Sequence, residues 1–71
     1  MVEAVAAACD RIAEYPQMGR RQERYGRGLR SFAMTQHPYV IYYKMEQDAI
    51  EVWRILHQRR DPAKELRRNR W

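Results

Sequence analysis

The sequence predicts an α+β domain: a small antiparallel β-sheet of three strands packed against an N-terminal helix, with a short C-terminal helix after it. Three observations carry this. Apolar residues recur every three or four positions near the start. Two runs dense in β-branched and aromatic residues, "YVIYYKM" and "IEVWRIL", lie either side of a short polar stretch. An Asp-Pro pair then introduces a charged tail. The 71 residues hold a single domain, 1–71, read as helix 2–15, connector 16–27, sheet 28–57 and C-terminal tail 61–71.

In the helix, Val2, Val5, Cys9 and Ile12 form one stripe, with Ala6 and Ala13 flanking it. Alanine adds helix propensity, and Glu3 sits where the positive end of the helix dipole favours a carboxylate. Pro16 ends the helix, because it biases Tyr15 away from helical backbone angles. The following "PQMGRRQERYGRG" carries a proline, three glycines and four arginines, which reads as connector with a short turn around Gln22–Tyr25.

The first strand candidate, "GLRSFAM" (28–34), is short and mixed. "YVIYYKM" (39–45) is the strongest. "EQDA" (46–49) makes a polar turn of hairpin length, and "IEVWRIL" (50–56) returns. Simple alternation puts Ile50, Val52 and Leu56 on one face of that strand and Trp53 and Ile55 on the other. Both faces carry large apolar groups, so both require cover, and one helix covers only one. Leu29, Ile41, Tyr43, Val52 and Leu56 are the expected packing set. Asp61 before Pro62 reads as an N-cap and first helical position. The tail "AKELRRNR" is then a short helix, basic towards its C-terminal end.

Composition narrows the function classes. A domain of this size buries only about 60% of its unfolded surface, so its stability is marginal and a partner is the expected source of more. Cys9 is the only cysteine, which excludes an intrachain disulfide, and Cys9, His37 and His57 lack zinc-ligand spacing. No metal or cofactor is expected. Residues 1–15 lack the basic and apolar regions of a signal peptide, and no run reaches the roughly eighteen apolar residues that span a bilayer. A cytoplasmic protein is expected. The net charge of +5 is concentrated in Arg20–Arg30 and in the segment from Arg54 onwards. Such a field attracts nucleic acid and acidic protein segments alike.

The stretch "RILHQRRD" (54–61) sets His57 beside Arg59 and Arg60. A histidine has the acidity for proton transfer near neutral pH. The nearest carboxylate, Asp61, is better explained as a helix cap, which leaves His57 without a partner and favours an imidazole that orders the corner between strand and tail. His37, before Pro38 in a turn, is structural on the same grounds. Tyr39, Tyr42 and Tyr43 on a basic protein suit base stacking, but alternating aromatics on a central strand belong first to core and interface.

A helix, "YPQMGR", "GLRSF", "YVIYYK", a polar turn and "IEVWRILHQRRD" stand here in one order. That order resembles the RelE/ParE superfamily of toxins from bacterial type II toxin–antitoxin systems, and within it the ParE branch, over about residues 5 to 65. The resemblance implies an antiparallel sheet packed on one face by an N-terminal helical hairpin. Family members normally open with a strand and a first helix before the helix that ends at "YP", so an N-terminally shortened domain with an unpaired sheet edge is expected.

Ribonuclease members cut mRNA on the ribosome, a reaction that needs a group to activate the 2′-hydroxyl, cations for the phosphate and an acid for the leaving oxygen. The RelE-like pattern places an arginine after the tyrosine of the middle strand, another after the last strand, and a tyrosine a few residues later. Here Val40 follows Tyr39, Arg59 matches the second arginine, and Glu65 or Leu66 stands in the tyrosine's place. A single match of three argues against ribonuclease chemistry. If such chemistry operates, His57 and Arg59 carry it. ParE-like toxins act instead by binding DNA gyrase, which needs a surface rather than an acid and a base.

The resemblance therefore implies a non-enzymatic inhibitor of DNA gyrase and replication, held in a hetero-oligomer by a cognate ParD-like antitoxin. Arg30, Arg54, His57, Arg59 and Arg60 are the expected contacts to target or antitoxin. Leu29, Ile41, Tyr43, Val52 and Leu56 are the expected packing set and antitoxin groove. No membrane or small-molecule ligand is implied. A RelE-like endoribonuclease, or a shortened toxin that only binds antitoxin, are the alternatives.

Overall fold

The computed structural model describes residues 2–67, excluding the side chains of Val2 and Arg67. The stripe position assigned to Val2 and the basic residues Arg68 and Arg70 lie outside the described set. The chain runs α1 (Val2–Glu14), a 3-10 turn (Pro16–Met18), β1 (Arg20–Arg21), β2 (Leu29–Ala33), β3 (Tyr39–Glu46), β4 (Ala49–His57) and α2 (Pro62–Arg67). The sheet is fully antiparallel in the order β1-β2-β3-β4. Four strands stand where three are expected.

The extra strand lies inside the predicted connector. Arg20 pairs with Ser31 and Arg21 with Arg30. Two exposed arginines carry no strand periodicity, so β1 exists only because a tight return brings it to the edge of β2. That return is closed by Gln22 N–H to Leu29 O at 2.8 Å and by turns from Tyr25 N–H to Gln22 O and Leu29 N–H to Gly26 O, each 3.0 Å. Gly28 takes the left-handed conformation (φ 74°) that this return requires.

A buried phenol fixes the 3-10 turn to the sheet. Tyr43 is fully buried on β3; its hydroxyl donates to Pro16 O at 2.7 Å and accepts from Gly19 N–H at 3.0 Å. Burial pushes this hydroxyl above the usual phenol range, and the Gly19 N–H bond and the Arg30 charge only partly offset that.

On one face of the sheet, α1 packs Ala8 and Ile12 against Met34, Ile41 and Tyr43, with Val5, Cys9, Ile50 and Val52 at the rim. The flanking alanines expected on this stripe, Ala6 and Ala13, are exposed, and Ala4 and Ala8 take their place. The two pairs flank opposite sides of the Val5–Cys9–Ile12 line, and the roll of the helix towards Met34 selects between them. The opposite face buries Leu29, Tyr42, Leu56 and Leu66, with Tyr25, Val40 and Trp53 against them. The cover that the sequence requires there comes from α2 and the connector.

Val52 and Leu56 do not share a face, contrary to simple alternation. Tyr43 pairs with Val52 but Tyr42 pairs with Arg54, so Trp53 is the extra residue of a β-bulge. One inserted residue reverses the inside-outside order beyond it. Val52 therefore faces α1 and Trp53 and Leu56 face α2, while Ile55, paired with Ile41, is on the α1 side and not with Trp53 as alternation predicts. The β3–β4 turn narrows to Gln47–Asp48, with Gln47 at φ 50°.

Candidate functional site

The site sits where β4 ends and α2 begins. Gln58 N–H bonds Pro38 O at 2.8 Å and Arg60 N–H bonds His57 O at 2.8 Å, which turns the chain out of the sheet. Asp61 then caps α2: its carboxylate accepts Ala63 N–H at 3.1 Å, and its carbonyl accepts from Lys64 and Glu65. The predicted cap and first-turn proline stand as expected.

His57 orders this corner. Its Nδ1 accepts the Arg59 N–H at 3.2 Å, and its ring meets Tyr39 edge-on at 5.4 Å between centroids. An accepting Nδ1 places the proton of the neutral ring on Nε2. Among the described residues no carboxylate orients the imidazole, and Asp61 is engaged with α2. A general base needs a free lone pair aimed at the proton it removes; this one is turned onto its own backbone.

The arginines separate into two places. Arg54, on β4, reaches Glu65 Oε1 at 3.4 Å, and Arg60 reaches Glu65 Oε2 at 3.1 Å. One α2 carboxylate is thus shared by two guanidiniums from different elements. Arg59 is exposed beside them. Arg30 belongs elsewhere: it donates to Gly19 O at 2.8 Å and Gln17 O at 3.3 Å, tying β2 to the 3-10 turn. Tyr39, Arg54, Ile55, Leu56, His57, Arg60 and Glu65 together line a shallow concavity.

Of the expected packing set, Leu29, Ile41, Tyr43 and Leu56 are buried within the chain and Val52 is half-buried. They hold the sheet between its two covers. Sequence reasoning missed Glu65 as the partner of Arg54 and Arg60, and the Lys44 ammonium 4.6 Å from the Trp53 ring centroid. The signal for the first was present but diffuse: an acid one turn into a capped helix that follows an arginine-rich strand end. Among the described residues no group of three or more His, Cys, Asp or Glu is placed to hold a metal ion, and no helix is long and apolar enough to cross a membrane.

What the corner offers chemically is directed positive charge; Ile55, 37% exposed, pairs with Ile41 and so belongs to the other face of the sheet. Compared with known families, residues 1–62 match the family described as the ParE toxin of the type II toxin–antitoxin system, parDE. No curated protein and no solved structure matches the chain.

Proposed function

The chain belongs to the ParE toxin family of type II toxin–antitoxin systems, and on that premise we propose that it inhibits DNA gyrase and is neutralised by a ParD-type antitoxin. The observation that carries this reading is the family match over residues 1–62. ParE toxins generally act by gyrase inhibition rather than by catalysis. The geometry of the corner supports the same reading. His57 spends its Nδ1 on the Arg59 N–H, Val40 stands where a ribonuclease arginine is expected, and Glu65 occupies two of the cations. Those cations suit docking onto an acidic or phosphate-bearing surface.

In this reading the protein works in the cytoplasm, where gyrase and the antitoxin meet it, and the antitoxin forms a hetero-oligomer with it. Arg54, Arg59 and Arg60, with His57 holding the turn, are the contact corner; Arg30 acts by fixing the 3-10 turn. The test is a supercoiling assay with the purified 71-residue protein. Loss of gyrase activity with trapping of cleaved DNA is expected. Cleavage of ribosome-bound mRNA without any effect on gyrase would reject the proposal. His57→Ala separates the two chemistries: it abolishes activity in a ribonuclease and leaves a docking protein active once folded.

A further inference from the structure

Strand β4 is an outer strand: among the described residues it pairs with β3 on one side and with no strand on the other. Such an edge presents backbone N–H and C=O groups in a row, and nine residues are long enough to take up another strand. The other edge of the sheet is only the two arginines of β1. Among the described residues, then, the chain has one edge that can be extended.

The side chains along β4 indicate what fits there. Because of the bulge at Trp53, Ile50, Val52 and Ile55 share the α1 side, paired with Met45, Tyr43 and Ile41 of β3. Ile50 and Val52 are only half-buried, and Ile55 is exposed. A strand laid antiparallel along this edge completes their cover only if it brings aliphatic side chains to all three positions. β4 itself does so. With a two-fold axis through Val52, normal to the sheet, Val52 meets Val52 of the second copy, and Ile50 meets Ile55 on either side. On the α2 side the same axis sets Glu51 opposite Arg54, so like charges do not face each other. The other register that uses nearly the whole strand has its axis at Arg54. It sets Arg54 against itself and Ile50 against His57. A bulge turns an edge away from an ordinary strand, but a second β4 carries the same bulge, and the two fall symmetrically beside the axis.

We propose that β4 pairs with β4 of a second copy of this chain, antiparallel about Val52, so that two sheets of four strands continue as one of eight. The contact is isologous and uses up the one extendable edge of each copy, so it closes as a dimer instead of growing into a fibre. It adds apolar burial to a chain short enough to be marginal alone. Arg54 keeps its bond to Glu65, and the proposal does not depend on what the corner at the end of β4 binds.

The test is sedimentation velocity on the intact 71-residue chain over a concentration series, which needs neither gyrase nor antitoxin. A monomer–dimer equilibrium is expected. Ile55→Lys changes an exposed side chain, counts twice in a symmetric contact and is expected to weaken dimerisation about tenfold or more. Residues directly opposite have Cα atoms about 4.5–5.5 Å apart, within disulfide reach. Mild oxidation of Val52→Cys, in a Cys9→Ala background, is therefore expected to give a covalent dimer, and Ile55→Cys in that background is not. A monomer at every concentration overturns the proposal and leaves the edge to a strand of another kind. Species larger than a dimer overturn the closure. A dimer that Ile55→Lys leaves unchanged overturns the pairing, and that result decides should Val52→Cys not fold.

Discussion

Replacing Tyr43 by Phe removes a single oxygen from a fully buried ring and so isolates what that oxygen does. The hydroxyl serves two backbone groups, donating to Pro16 O at 2.7 Å and accepting from Gly19 N–H at 3.0 Å. Gly19 is buried, so its N–H loses its partner without gaining water, at a penalty of about 1–3 kcal/mol. Pro16 is only half-buried and its carbonyl recovers a water, so that loss is about 0.5–1 kcal/mol. The sum, about 1.5–4 kcal/mol, is a large share of the roughly 3–5 kcal/mol that a core of this size supplies. The midpoint of thermal unfolding is expected to fall by about 6–30 °C. Urea unfolding followed through tryptophan fluorescence measures the change, and an unaltered denaturant slope shows that the two end states kept their compactness. A loss below about 0.5 kcal/mol would refute the reasoning, because it would mean that both backbone groups find other partners. A double-mutant cycle sharpens the test. A methyl at Gly19 would collide with the Tyr43 hydroxyl and lie 2.9 Å from Ser31 O. Gly19→Ala is therefore severe in the parent and milder beside Tyr43→Phe, and strict additivity would exclude the contact.

Gln47 holds φ 50° at the β3–β4 turn, a conformation that costs a side chain about 1 kcal/mol, so Gln47→Gly is expected to raise the urea midpoint. Asp61→Ala removes the cap on Ala63 N–H and is expected to lower stability by about 1 kcal/mol, whereas Asp61→Asn retains most of it. Alkaline pH provides a further check. Burial raises Tyr43, and burial with Tyr25 nearby raises Tyr42. The unfolded phenols lose their protons first, so stability is complete below about pH 10 and falls as pH rises from there through the folded values. Urea midpoints across that range measure the fall, which is shallower in Tyr43→Phe; a flat profile would contradict the raised values.

What the sequence disclosed was whatever depends on neighbours in the chain. The stripe of α1, the β3 run and the Asp61–Pro62 start of α2 are local patterns, and their boundaries stand within a residue or two of those expected. Three features were not legible because each is a decision between distant segments. Strand β1 is two arginines whose partners lie about ten residues on, and nothing in "RR" marks a strand. The bulge at Trp53 exists to match β4 to β3, and alternation read along β4 alone places Leu56 on the wrong face. At the candidate site the arginines were visible as a cluster. Their separation was not: Arg30 is turned onto the Gly19 and Gln17 carbonyls, while Arg54 and Arg60 converge on a helix eleven and five residues away.

That separation changes what a net charge of +5 means for this protein. The charge of Arg20, Arg21 and Arg30 serves the fold first. Arg30 satisfies two carbonyls, and Arg20 and Arg21 close the sheet with a two-residue edge strand too short and too cationic to recruit another strand. The opposite edge, β4, is nine residues long, and the bulge twists it near its middle. At its end the chain places Arg54 and Arg60 around one of its own carboxylates. There both guanidiniums reach Glu65 on α2, so this charge too is engaged within the fold.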